Sequence, residues 1–273
     1  RRQRQMCIRD RPSTDFSDYS IFMKNRNEAS MFFEEIESSE IDSIITNLNP
    51  NKSSDMSPRV LKIFRNMLSP TFATLFNNCM YAGVFPDVLK IARVIPLYKS
   101  GDKNEISNYR PISLLPVFSK IFEKLIHSRV EKFLDKHKVI YNKQFGFRKR
   151  HSTLHALNTA ITQLITGLNK NHAVLGVFLD FSKAFDTVKH DILLRKLEHY
   201  GIPGNIHNLF KDYLTNRKQL VLMVIQNQTY LLCWTEYPKA QCLDHFCSYY
   251  TSMILYTANV LVNPQNAHPT VPI

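Results

Sequence analysis

Between residues 31 and 233 the hydrophobic positions recur at helical spacing in some stretches and as short extended runs in others, a pattern that predicts an α/β chain. Ile36, Ile41, Ile44, Ile45 and Leu48 predict a helix over 33–48, ended by the turn-rich stretch NPNKSSDMSP. A second helix is expected over 58–81, with Gly83 as its stop. Residues 94–97 read as a strand entering the polar loop KSGDKNEISN, and 109–114 are extended, as Pro111 favours. Helices over 119–136 and 152–168 flank a basic loop at 144–150. The second of them carries Leu154, Leu157, Ile161, Leu164 and Leu168 on one side. The apolar run 173–179 ends abruptly at Asp180 and predicts a buried strand. A short helix over 191–200, closed by Gly201, and a hairpin over 218–233 around Gln226, Asn227 and Gln228 complete the pattern, which contains no internal repeat.

A chain of 273 residues can bury a core without disulfides or a structural metal. Its longest wholly apolar run, 173–179, is far short of the roughly 20 residues that a membrane-spanning helix needs, so no membrane partner is expected. Only seven glycines occur, and their positions allow neither GxGxxG nor GxxxxGK[ST], which excludes Rossmann and Walker-type nucleotide sites. The five cysteines form no CxxC pair and no secretory signal is evident. An intracellular setting follows, nucleus and cytoplasm being equally compatible.

The net charge of +12 points to a polyanionic partner. Residues 1–30 are expected to be a non-native or disordered leader, of which 1–11 look like the in-frame translation of a sequencing adapter. That stretch holds five arginines against Asp10, a net +4, and the remainder of the chain keeps +8. From residue 234 the texture changes again. The only Trp appears there, three of the five cysteines fall between 233 and 247, and the closing NPQNAHPTVPI has no periodicity.

Chemistry concentrates in FLDFSKAFDTV, residues 178–188. A carboxylate at the end of a buried strand is costly unless a cation or hydrogen-bond donors meet it, so Asp180 reads either as a ligand of a hard cation such as Mg²⁺ or as a strand-end cap. Asp186 fits a turn or cap role better than a second ligand. Lys99 and Arg110 flank one loop, as an anion clamp or as solvated charges. Lys143, Arg148, Lys149 and Arg150 surround Phe145 and Phe147, a mixture that suits a nucleic-acid strand and equally a basic turn over two core aromatics. His151 and His155 have the spacing of a zinc pair, yet HSTLH lacks the Glu of HExxH and no third ligand is evident.

Taken in order, NPNKSSD, GVFPDVLKIARVIPLYKSGD, NYRPISLLPVFSKIFEKLI, QFGFRKRHSTLHAL, VFLDFSKAFDTVKHDILLRKL and YGIPGNIHNLFKDYLTNRKQLV resemble the reverse transcriptases of non-LTR retrotransposons, the jockey-like lineage especially. The resemblance covers 31–233 and implies a helix-rich α/β right-hand polymerase: the fingers and the first part of the palm, stopping before the catalytic hairpin and thumb. It implies RNA-directed DNA synthesis with two Mg²⁺, an RNA template, a DNA primer and deoxynucleoside triphosphates. Asp180 matches the first catalytic aspartate, with the Phe181 carbonyl as a further metal ligand. Phe185 matches the aromatic gate that excludes a 2′-OH, and Lys99 and Arg110 match the cations that grip the triphosphate. The chain departs from the family where NPNKSSDMSP lacks the usual glycines, and no [FY]-x-D-D hairpin or DD dipeptide occurs. Joining the third base of each codon of residues 235–254 to the first two of the next can spell GVPKGSVFGPFLFLLYIND, which resembles the missing palm segment. Residues 234–273 are accordingly expected to be an out-of-frame, poorly ordered tail. The chain is expected to be inactive in synthesis. The competing expectation is a noncatalytic RNA/DNA-binding remnant.

Overall fold

The computed structural model describes residues 23, 26–51, 55–176, 178, 188–225 and 228–235. The first helix, α1 (Ser38–Thr46), starts later than the apolar spacing predicts. The reason lies in its neighbours: the Asn77 side chain donates to the Ile36 carbonyl and accepts from the Ile36 N–H (3.0 and 2.8 Å), and Arg129 donates to the carbonyls of Glu34 and Glu35 (both 2.7 Å). With their backbone groups satisfied from outside, these residues stay extended. Glu37 and Glu40 then form a reciprocal cap that starts the helix.

The helix expected over 58–81 is broken at Phe64 into α2 (Pro58–Ile63) and α3 (Arg65–Ala82). Apolar spacing continues across the break and so does not reveal it. Gly83 is the stop, in the left-handed region at φ +68°, and a Cβ there would come within 2.9 Å of Asn205 and Asn208. α4 (Val117–Lys136), α5 (Thr153–Asn169) and α6 (His190–His199) match their predicted positions within a few residues, and α7 (Gly204–Leu214) is an addition that the sequence pattern did not single out.

The main core lies among α1, α3, α4 and α7. Phe122 stacks on Phe76 (ring centroids 4.4 Å apart) and on Phe85 (5.2 Å), while Tyr213 meets the Phe85 ring edge-on. The strands β1 (Ile91–Tyr98), β2 (Tyr109–Leu114), β3 (Lys218–Ile225) and β4 (Gln228–Thr235) form one mixed sheet in the order β2-β1-β3-β4. β1 runs antiparallel to β2 and parallel to β3. Buried Lys90 anchors the start of β1: its ammonium binds Asp87 (2.8 Å) and Asp212 of α7 (2.9 Å), and Asp212 also accepts from the Phe85 N–H (2.7 Å). The chain is thus mixed α/β and helix-rich, as its pattern predicts. No helix among the described residues is long and apolar enough to cross a membrane.

Candidate functional site

β3 pairs with β1 only over Ile91–Val94, so the outer half of β1 continues with β2 alone as a two-stranded ribbon. Pro96 and Pro111 face each other in that ribbon, a placement open to proline because no third strand there asks for the N–H of Pro96. Beyond it Tyr98 pairs with Tyr109 across the ladder, and the Lys99 N–H donates to the Asn108 carbonyl (2.8 Å).

The loop joining the two strands is braced from within. Asn108 donates to the Asp102 carbonyl (2.8 Å), Asp102 accepts from the Asn104 N–H (2.9 Å), Tyr109 donates to the Lys103 carbonyl (2.9 Å), and Tyr98 donates to the Gly101 carbonyl. Gly101 has φ +97°, and a Cβ on it would come within 2.6 Å of the Asn108 amide. This bracing fixes where the two flanking cations stand. Arg110 lies opposite Leu97, and Lys99 is two residues beyond Leu97, so pleating puts both side chains on one face of the ribbon as diagonal neighbours. Both are exposed and neither has an ion-pair partner among the described residues.

The basic loop divides its four cations. Lys149 binds Glu131 of α4 at 2.6 Å and Arg148 lies 3.6 Å from Asp135, so these two tie the loop to the helix. Lys143 and Arg150 point to solvent. Phe147 and Arg150 both adopt positive φ (55° and 60°), and Phe147 is more than half exposed while Phe145 is half-buried. The picture of two core aromatics under a basic turn therefore does not hold. Ser152 caps α5 by accepting from the His155 N–H, and its hydroxyl meets His155 Nδ1 at 3.3 Å. The described residues contain no cluster of three metal-ligating side chains.

Asp180, Phe181, Phe185 and Asp186 lie outside the described residues. For the strand expected to lead into Asp180 the structure brings a correction: 173–176 form no strand, and Val174, Leu175 and Phe178 are exposed. A strand buried on both faces needs paired neighbours and a covering layer on each side, and no described element supplies either. The segment instead turns back on α5, where the His172 N–H donates to the Gly167 carbonyl (3.0 Å).

Sequence reasoning missed Arg93 and Lys218, which share the sheet face of Lys99 and Arg110. Alternation within β1 is a signal for Arg93, since it stands an even number of residues from Lys99. Nothing local announces Lys218, whose position depends on strand pairing across more than a hundred residues.

Comparison with known proteins bears on this arrangement directly. The sequence profile described as "Reverse transcriptase (RNA-dependent DNA polymerase)" matches residues 99–238, a stretch that begins at Lys99 and includes Arg110, the basic loop and Asp180. The "RNA-directed DNA polymerase from mobile element jockey" of Drosophila melanogaster is 32% identical over 160 residues, which are 58% of this chain and 17% of that protein. From the same organism, the "Probable RNA-directed DNA polymerase from transposon X-element" is 34% identical over 145 residues (53% of this chain, 16% of that protein). The "Probable RNA-directed DNA polymerase from transposon BS" is 31% identical over 150 residues (55% and 16%). The aligned part of the chain therefore spans only about a sixth of the length of these relatives.

Proposed function

We propose, from the premise that this chain belongs to the reverse transcriptase (RNA-dependent DNA polymerase) family and is a partial domain of the non-LTR retrotransposon kind, that residues 31–233 are the fingers and first part of the palm of such a polymerase. The observation that carries the reading is the common face of Lys99 and Arg110 on a braced ribbon, within the matched block. In this reading the planar fork of Arg110 takes two phosphate oxygens at once, and Lys99 adds a point charge beside it. Rigid bracing at Gly101 and Asn108 spares the two side chains the entropy of being gathered when a triphosphate arrives.

Asp180 and the Phe181 carbonyl offer hard oxygen donors of the kind Mg²⁺ prefers. In the reaction proposed, metal ions would stabilise the attacking primer oxygen and the departing pyrophosphate. Phe185 would set sugar choice by filling the space that a 2′-OH needs. One carboxylate is too little negative charge to hold two divalent ions beside a triphosphate, and no DD dipeptide occurs in the chain. The chain as given is therefore assigned no synthesis of its own. A second reading, a noncatalytic RNA/DNA-binding remnant, draws on the same single carboxylate together with the free cations of the basic loop, Lys143 and Arg150.

Primer extension on an RNA template with Mg²⁺ tests these statements together. The 273-residue chain is expected to give no product, and a version with the frame restored after about residue 233 and continued through hairpin and thumb is expected to give one. In that version D180N abolishes extension, and the double variant K99A/R110A raises the KM for the nucleotide at least tenfold with primer-template affinity unchanged. Templated, dideoxynucleotide-sensitive product from the unrepaired chain would overturn the assignment of Asp180 as its only catalytic carboxylate.

A further inference from the structure

The sheet face that holds Lys99 and Arg110 carries more positive charge than a nucleotide clamp uses. Alternate residues of β1 put Arg93, Ile95 and Leu97 on it, with Lys99 next in step. β2 adds Leu114, Ile112 and Arg110 directly opposite Arg93, Ile95 and Leu97, and β3 adds Lys218 beside Ile91 and Leu220 beside Arg93. None of these positions holds a carboxylate. Arg93, Lys99, Arg110 and Lys218 are all exposed, and Arg93 has no ion pair among the described residues.

The opposite face behaves differently. Ala92, Val94 and Gln219 are buried there, and Gln219 donates to the Ser113 hydroxyl (3.0 Å). The cationic face is thus not a core surface awaiting a protein layer of like polarity. It remains open while carrying Ile95, Leu97 and Ile112 at 39%, 53% and 37% exposure between the cations.

We propose that this face is a track for one single nucleic-acid strand, and that Arg93 and Lys218 hold its backbone phosphates upstream of the nucleotide clamp at Lys99 and Arg110. The inference rests on the polymerase reading above and extends it to template handling. Charge complementarity selects the occupant: cations stand at both ends of a carboxylate-free strip about 20 Å long from Arg93 to Lys99, and the apolar side chains between them suit sugars and base faces. A duplex buries its base faces and gains nothing from Ile95, Leu97 and Ile112. A strand whose bases pair with an incoming nucleotide must pass beside that nucleotide, and the shared sheet face arranges this proximity.

Fluorescence anisotropy of the full chain with a labelled 20-nucleotide single strand, as RNA and as DNA of the same sequence, tests the proposal across a salt series. R93A/K218A is expected to weaken binding about tenfold at low salt and to lower the slope of log K against log salt by about 0.7 for each phosphate that the variant no longer neutralises. R93K retains the slope, an outcome that a purely structural role of the arginine would not produce. Wild-type affinity and slope in R93A/K218A, while K143A/R150A weakens binding, would overturn the track and leave the polymerase reading standing. Polyglutamate displacing the strand as effectively, charge for charge, as unlabelled RNA would reassign the face to an acidic protein. Absence of binding to either nucleic acid by the wild-type chain would overturn the polymerase reading itself.

Discussion

α4 and α5 are both long amphipathic helices written in similar letters, yet α4 buries residues along its whole length and α5 buries none. On α4, Ile121, Phe122, Leu125, Ile126, Val130 and Leu134 are all but inaccessible, enclosed by α1, by α3 with its stacked aromatics, and by the turn that carries Lys90. On α5, Leu154, Leu157, Ile161, Leu164, Ile165 and Leu168 stand between 45% and 61% exposed. Residues 152–169 include no Asp, Glu, Lys or Arg, so solubility is not what this helix was selected for. An apolar stripe specifies that something must cover it, and says nothing of what does. An isolated helix of 17 residues is marginal in water, so α5 owes less of its stability to the described body than α4 does.

The sharpest way to break this comparison is to cut the same kind of side chain from each helix. F122A, which empties a site stacked between Phe76 and Phe85, is expected to cost about 3–5 kcal/mol. L164A on α5 is expected to cost under about 1 kcal/mol, because the leucine already meets solvent. Urea denaturation measures both. Equal costs would show that α5 is buried in solution and that the contrast is false.

Next in size is K90M, which tests whether the body's hold on β1 is electrostatic. Losing the ammonium leaves the Asp212 carboxylate without its cation, and a cost of about 2–3 kcal/mol is expected, at or below the low end for broken buried pairs because Asp212 is partly wet. The companion loss at Asp87 adds little, since that carboxylate is exposed; Lys90 holds it below its ordinary value, and it returns there when the lysine goes. The same urea titration reads the effect, and a cost under about 0.5 kcal/mol would mean that packing alone positions the strand.

The smallest effect concerns Glu123, buried on α4 beneath hydrogen bonds from Ser119 and Tyr213 (both 3.1 Å). Burial pushes its carboxyl up, and the Arg217 charge with the two hydrogen bonds only partly opposes this. A carboxyl raised in the folded state favours folding fully below its unfolded value, near 4.5, and that favour is lost as pH rises from there through the folded value. E123Q cannot ionise, so its melting temperature should exceed that of wild type by about 2–4 °C per kcal/mol gained at pH 8 and match it near pH 4. An unchanged difference across that range would place the titration elsewhere.

The sequence pattern located most helices and strands because each has its own period, and Gly83, Pro111 and Ser152 mark boundaries chemically. It placed α1 too early and ran α2 into α3. In the first case the reason was remote, the side chains of Asn77 and Arg129 taking the backbone of 34–36. Among the candidate site residues, the shared face of Lys99 and Arg110 follows from alternation and a short loop. The division of the basic loop into Arg148 and Lys149, bound to α4, and Lys143 and Arg150, open to solvent, does not. That division depends on Glu131 and Asp135 lying within reach, a matter of how the loop folds back.

Family, mixed α/β character and the residue types of the proposed chemistry were readable from the letters, since motif order and apolar period are local properties repeated along one strand of text. Which apolar faces found cover, which cations stayed free, and the joining of Lys218 to the face of Arg93 were settled by packing and strand pairing. Burial and charge neutralisation are properties of neighbours in space. A leucine on α4 and a leucine on α5 differ in nothing but the company the fold brings to one of them.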